Sequence, residues 1–350
     1  MAAWPSPWLP LLLVGALLAF EDWLATPTCS GGSTAPAPAP APGDLRVMMV
    51  SDLMLLGSDA TYADRFFRNH VMSKLFAKSI ETLRPDMIVV LGDISAMGFQ
   101  LKESKWIDVI DQFKGILGQY SDLPLHIALG DKDVGGCANL DDSFVHHMAK
   151  HLPGLDSSGC GTFEIGNVSF VSLNSVALLC GNNPLRISVE KVIEKENNHF
   201  QQKMVNEAGH FSLGSIEREG FNWRQNSMES GSGPVVLLHF PLYKFSEGTI
   251  SEPPVSSKEL MAGGLINYMP SLQIQLNMFF KRLNQDYTHY DGTREVAVPA
   301  MTWKTTGVPG FVISTFGRKG IMTVRYCLIV PEWYVMAGYS VFLFLTALSA

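Results

Sequence analysis

Met87-Ile-Val-Val-Leu-Gly-Asp93 is an apolar run closed by a glycine and an acid. It is too short for a typical helix and ends on a turn signal. It therefore reads as a buried strand with a carboxylate at its carboxyl end. The same pattern stands on either side. Val47-Met-Met-Val50 leads into Ser51-Asp52, and Leu125-His-Ile-Ala-Leu129 leads into Gly130-Asp131-Lys132-Asp133. Residues 62–84 separate the first two runs, with Phe66, Phe67, Val71, Leu75, Ile80 and Leu83 at helical spacing, and residues 102–120 form the next helical segment. Strands alternating with amphipathic helices predict right-handed crossovers and a mainly parallel sheet, so the class is α/β. Further strands are expected at Val168–Leu173, Val235–His239 and Gly310–Thr315, and no strand is expected over the Gln- and Asn-rich stretch 271–290.

Outside this core the composition changes. The chain has 350 residues, 47% hydrophobic and 17% charged, with a net charge of -7. So low a charged fraction places some apolar content in membrane, and the acidic balance excludes a basic nucleic-acid surface. Residues 1–28, apolar from Trp8 to Phe20, read as a signal peptide or signal anchor, and residues 29–43 as a Pro/Ala-rich linker favouring polyproline II. Residues 44–328 form the globular domain, with 181–232 as a polar insertion, and 331–350 is uncharged enough from Trp333 onward to predict a transmembrane helix. Among Cys137, Cys160 and Cys180, either one disulfide or buried thiols are expected; Asn167 begins an Asn-Val-Ser glycosylation sequon.

Carboxylates at successive strand ends, joined by His239 at the end of a later strand, are the donor types that hold a divalent metal. His126 inside a strand reads as core, and His146 and His147 as helix surface.

The order Asp52, Gly92-Asp93, Gly130-x-x-Asp133 and His239 resembles the calcineurin-like metallophosphoesterases, whose blocks run D-x-H, G-D-x-x-D-x-G, G-N-H-[DE], H and G-H-x-H. Val50-Ser-Asp-Leu-Met-Leu-Leu-Gly57, His239-Phe-Pro-Leu-Tyr243 and Arg294–Trp303 resemble the metallophosphoesterase 1 branch, with its Cdc1 and Ted1 relatives that act on GPI-anchor glycolipids early in the secretory pathway. The resemblance implies an αββα sandwich and one or two divalent ions, Mn²⁺, Zn²⁺ or Fe²⁺. It implies a phosphoesterase of ER or Golgi membranes, with the domain in the lumen and a membrane lipid or glycolipid phosphoester as partner.

The resemblance assigns Asp52 to a first metal, Asp93 to the bridge, and Asp131 and His239 to a second metal; Lys132 stands where the family has its catalytic histidine. Departures accompany it. Met54 and Ala96 replace a ligand histidine and aspartate, no Gly-His-x-His occurs, and His289 is the nearest candidate for that final block. These losses make a non-catalytic, membrane-tethered binding or trafficking factor the alternative reading.

Overall fold

The protein is described here from a computed structural model covering residues 8–31, 43–166, 168–181, 183–209, 234–240, 244–246, 249–251, 274–277, 286–288, 294–302, 308–317 and 322–349. Its strands are β1 Thr28–Gly31, β2 Leu45–Val50, β3 Met87–Leu91, β4 Leu125–Ala128, β5 Gly161–Ile165, β6 Val168–Ser172, β7 Val235–Leu237, β8 Lys244–Ser246, β9 Thr249–Ser251, β10 Ile274–Asn277, β11 Asp286–Thr288, β12 Arg294–Ala297, β13 Gly310–Phe316 and β14 Met322–Leu328. Its helices are α1 Leu9–Ala25, α2 Tyr62–Arg65, α3 Ser73–Leu83, α4 Glu103–Leu117, α5 Asp131–Val134, α6 Asp142–Lys150, α7 Ser175–Leu179, α8 Pro184–Gly209 and α9 Glu332–Ser349.

Two six-stranded sheets form among the described residues, in the orders β1-β14-β13-β2-β3-β4 and β11-β12-β10-β7-β6-β5. In the first, β2, β3 and β4 run parallel; in the second, β6, β7, β10 and β12 do. Alternation along the strands explains the layers. Val47 and Met49 of β2 join Val89, Phe170, Val235 and Val312 in a core between the sheets. Met48 and Val50 point the other way, into a cluster with Phe76 of α3 and Trp106 and Phe113 of α4. Strands buried on both faces need unbroken apolar runs, which is what Met-Ile-Val-Val-Leu supplies. On the second sheet, Val171 and Val236 pack with Val176 of α7 and Val189 and Ile193 of α8. Helices on both outer faces complete the expected αββα order. Burying side chains such as Phe76 or Phe113 stabilises this arrangement by roughly 1.5–3 kcal/mol each.

Several expectations are altered. The helix expected over 62–84 is interrupted by a π-helical stretch, Phe66–Met72, before α3. The wider turn carries buried Arg68, whose guanidinium donates to the Leu53 carbonyl at 3.0 Å and to that of Met54. Backbone acceptors after β2 thus override the 3.6-residue period. The stretch 271–290 does contain strands. β10 lies in parallel register between β7 and β12, so pairing from both sides overrides a polar composition.

Among the described residues no helix is long and apolar enough to cross a membrane. The segment expected to span the membrane, 331–350, contains the 18-residue α9. It packs on α1, with Phe20 meeting the rings of Tyr339 and Phe342 at 6.1 and 5.8 Å. β1 crosses the expected boundary at residues 28–29, pairing antiparallel with β14 and carrying a Cys29–Cys327 disulfide. A second disulfide, Cys137–Cys180, ties the loop after α5 to the end of α7, while Cys160 is a buried thiol pushed up to about 12 by burial.

Candidate metal centre

The turns leaving β2 and β3 lock onto each other. The amide of Asp52 donates to Gly92 at 3.2 Å, that of Met54 to Asp93 at 3.0 Å and that of Leu55 to Ile94 at 2.8 Å. This ladder holds Asp52, Met54 and Asp93 at φ of 47°, 51° and 53°. For non-glycine residues the left-handed region costs about 1–3 kcal/mol each, a strain that clusters at functional sites. Gly92, at φ +95°, has no alternative. A Cβ there would stand 2.5 Å from His239 Nδ1 and 2.9 Å from the Gly130 backbone.

His239 follows β7 and is fully buried. Its Nδ1 lies 2.9 Å from the Leu91 carbonyl, an acceptor only, so Nδ1 carries a proton there and Nε2 faces the acids. Nε2 is 3.1 Å from Asp131 Oδ1 and 3.6 Å from Asp93 Oδ1. The His239 amide donates to Ser175 Oγ at 3.2 Å, fixing the strand end on α7. Asp131 also pairs with the Lys132 ammonium, and the Lys132 amide donates to Asp93 Oδ1 at 2.9 Å.

One ligating atom each from Asp52, Asp93 and His239 lies within 4.8 Å of the others, and all three residues are buried. Asp52 Oδ1 and Asp93 Oδ2 meet no donor from another residue among those described, so without an ion the two carboxyls are left to share a proton. A buried carboxylate oxygen without a donor is costly, and a cation at this point would satisfy both. Electrostatics show the same crowding. Burial, then the charge of Asp93, pushes the Asp52 carboxyl up to about 8. Asp93 is raised chiefly by burial. At His239 burial opposes the proton, but Asp93 and Asp131 overcome it and hold the imidazole at about 9. Burial also opposes the Asp131 charge, yet bonds to His239 and Lys132 bring it down to about 2. The donor set therefore fits one hard or borderline divalent ion. Among the described residues a second is not similarly served, because Met54 and Ala96 offer a thioether and a methyl.

The sequence expectations divide accordingly. Asp52, Asp93, Asp131 and His239 converge, and Lys132 stands beside them. His289 and Asn167 lie outside the described residues. Two further positioning residues were not assigned a role. Asp133, wholly buried, accepts from the amides of Asp93, Ser95 and Gly130 at 2.8, 2.9 and 3.0 Å, stapling two strand-end turns together. Its signal was the Gly130-x-x-Asp133 spacing. Arg68 braces the Asp52 turn from the π-helical stretch and had no local sequence signal.

No family model matches the chain. Among curated proteins, it is similar to metallophosphoesterase 1 of Danio rerio, 24% identical over 314 residues, covering 84% of this chain and 77% of that one. The Cricetulus griseus protein of the same name is 26% identical over 313 residues, covering 85% and 75%; the Drosophila melanogaster homolog is 22% identical over 310, covering 84% and 78%. The chain is thus similar to metallophosphoesterase 1 proteins over most of its length. Among solved structures, it overlaps a purple acid phosphatase of Lupinus luteus at a TM-score of 0.47 and 15% identity, over 84% of this chain and 55% of that one. An archaeal phosphodiesterase gives 0.32 and 10%, over 81% and 99%. At these scores the fold rests on the sheet order above. The chain has, at its strand ends, a donor set able to hold a metal.

Proposed function

We propose that the chain is a metal-dependent phosphoesterase that cleaves a phosphodiester in a membrane glycolipid head group. The observation that carries this is the buried Asp52–Asp93–His239 set, with one ligand atom from each within 4.8 Å of the others and two carboxylate oxygens that meet no donor. Asp52, Asp93 and His239 would hold Mn²⁺, Zn²⁺ or Fe²⁺, with the Leu91 carbonyl orienting His239 and Asp131 beside Nε2 as a further donor. Such an ion polarises a phosphoryl oxygen and lowers the pKa of bound water.

The chain's own residues do the rest. The Leu91 carbonyl keeps a proton on Nδ1 of His239, so an ion would displace the second proton, the one Nε2 shares with Asp131. Burial disfavours the Lys132 ammonium, but its pairing with Asp131 outweighs this and keeps it charged. It is a fixed positive charge for a phosphate, and too weak an acid to shuttle protons near neutrality.

The substrate class is the ethanolamine phosphate of GPI anchors or a related glycolipid, in the ER or Golgi lumen, where the reaction would serve transport between the two. What supports this is the metallophosphoesterase 1 resemblance at residues 50–57 and 239–243, and two disulfides suited to an oxidising compartment. Paired helices α1 and α9 expose Leu11, Leu12, Val14, Leu18, Val341, Leu343 and Phe344, an apolar surface that would hold the domain at a bilayer.

A second reading has its own observation. Lys132 and a protonated His239 already offset Asp93 and Asp131, and Asp52, raised to about 8, keeps its own proton near neutrality, so the fold could persist without metal as a tethered binding or trafficking factor. Elemental analysis of the full chain purified in Mn²⁺ or Zn²⁺, with hydrolysis of a model phosphodiester, separates the two. Bound metal and turnover, both lost in Asp93→Asn, support the enzyme. A folded chain with neither overturns it.

A further inference from the structure

We propose that Glu103, His147 and His151 form a second divalent-metal site, on the surface between α4 and α6, selective for a borderline ion such as Zn²⁺. Glu103 is the first residue of α4; His147 lies on α6 and His151 is its C-cap. Residues four apart on a helix share a face, so the two imidazoles overlook the same point. Both use Nε2. His147 Nε2 is 3.4 Å from Glu103 Oε2, and His151 Nε2 is 3.1 Å from Glu103 Oε1. One ligating atom from each of the three lies within 4.8 Å of the others.

These spacings suit coordination. Ligand atoms about 2.0–2.1 Å from a tetrahedral zinc stand roughly 3.3 Å apart. Two imidazoles and one carboxylate, with a position left open to water, are a donor set that zinc accepts, whereas Mg²⁺ and Ca²⁺ favour oxygen. The rings are only partly exposed and meet edge to face at 5.4 Å, so little side-chain freedom remains to be lost on binding. The site shares no residue with the strand-end centre, yet it bears on it. α4 follows the turn that carries Asp93, and α6 follows the segment that carries Asp131 and Asp133. An ion here would clip together the two segments that deliver those acids.

The test uses the full chain and Zn²⁺ alone. Isothermal titration and elemental analysis of wild type are compared with His147→Ala/His151→Ala and with Glu103→Gln, which keeps the side chain's shape. The double variant should bind one fewer Zn²⁺ per chain, and Glu103→Gln should weaken that site about 10-fold or more. Zn²⁺ should raise the melting temperature further in wild type than in either variant, because ligand binding to the native state stabilises it. The His147 and His151 ring resonances should shift at one equivalent beyond the buried centre. Unchanged stoichiometry and an unchanged Zn²⁺-induced melting shift in both variants would overturn the proposal.

Discussion

The strand-end centre and the α4–α6 cluster are built from the same side-chain types, with opposite relations to water. At the first, Asp52, Asp93 and His239 are buried, the two acids held at left-handed φ, and all three are crowded enough to displace one another's proton equilibria. At the second, Glu103 projects from the first turn of a helix and two imidazoles satisfy it in partial contact with solvent. Desolvation makes the difference. Buried charges demand a counter-ion or a proton, while exposed ones are met by water and each other. Changes at the first should therefore be severe and changes at the second slight.

The largest effect expected is on hydrolysis. Asp93→Asn should lower turnover of a phosphodiester by about 10³-fold, the loss of roughly 4 kcal/mol of metal-dependent stabilisation, in a steady-state assay. Gly92→Ala tests the architecture itself. Its Cβ cannot avoid the His239 ring, and urea unfolding should show a loss of about 3–4 kcal/mol. Acid should act through His126, which is buried and held down to about 4 by burial. The unfolded chain takes up this proton from about pH 6.5 and the native state only near pH 4, so stability falls as pH falls across that window. The expected loss is roughly 3 kcal/mol, and His126→Leu should flatten the stability–pH curve there.

A smaller effect concerns metal affinity. Asp52 titrates at about 8, so protons compete with the ion. Because His239, held at about 9, must also give up a proton, Mn²⁺ binding should weaken about a hundredfold for each pH unit below about 8, as read by titration calorimetry. The smallest is His151→Ala without metal, which should change stability by less than about 0.5 kcal/mol. A large loss there, or a mild one at Gly92, would break the contrast between the two regions.

Much of this was legible in the chain. Apolar runs ending in Gly-Asp located β3 and β4 and their acids, because a strand buried on both faces cannot hide its composition and the turn after it needs glycine. Other features were not legible, because they depend on what approaches from elsewhere. The π-helical stretch exists for the carbonyls that Arg68 reaches. β10 exists for its neighbours β7 and β12. Glu103 and His151, 48 positions apart, meet only when two helices pack.

Local pattern thus specified the central strands β2, β3 and β4 and the place of Asp52, Asp93, Asp131 and His239 at strand ends, since period and turn chemistry are properties of neighbouring residues, while the αββα layer order came from the family resemblance. Packing settled which nitrogen of His239 faces them, that Asp133 staples their turns, and that Cys29 reaches Cys327. Each of these turns on distances between segments remote in sequence, and burial sets their energies only after the sheets have closed on each other.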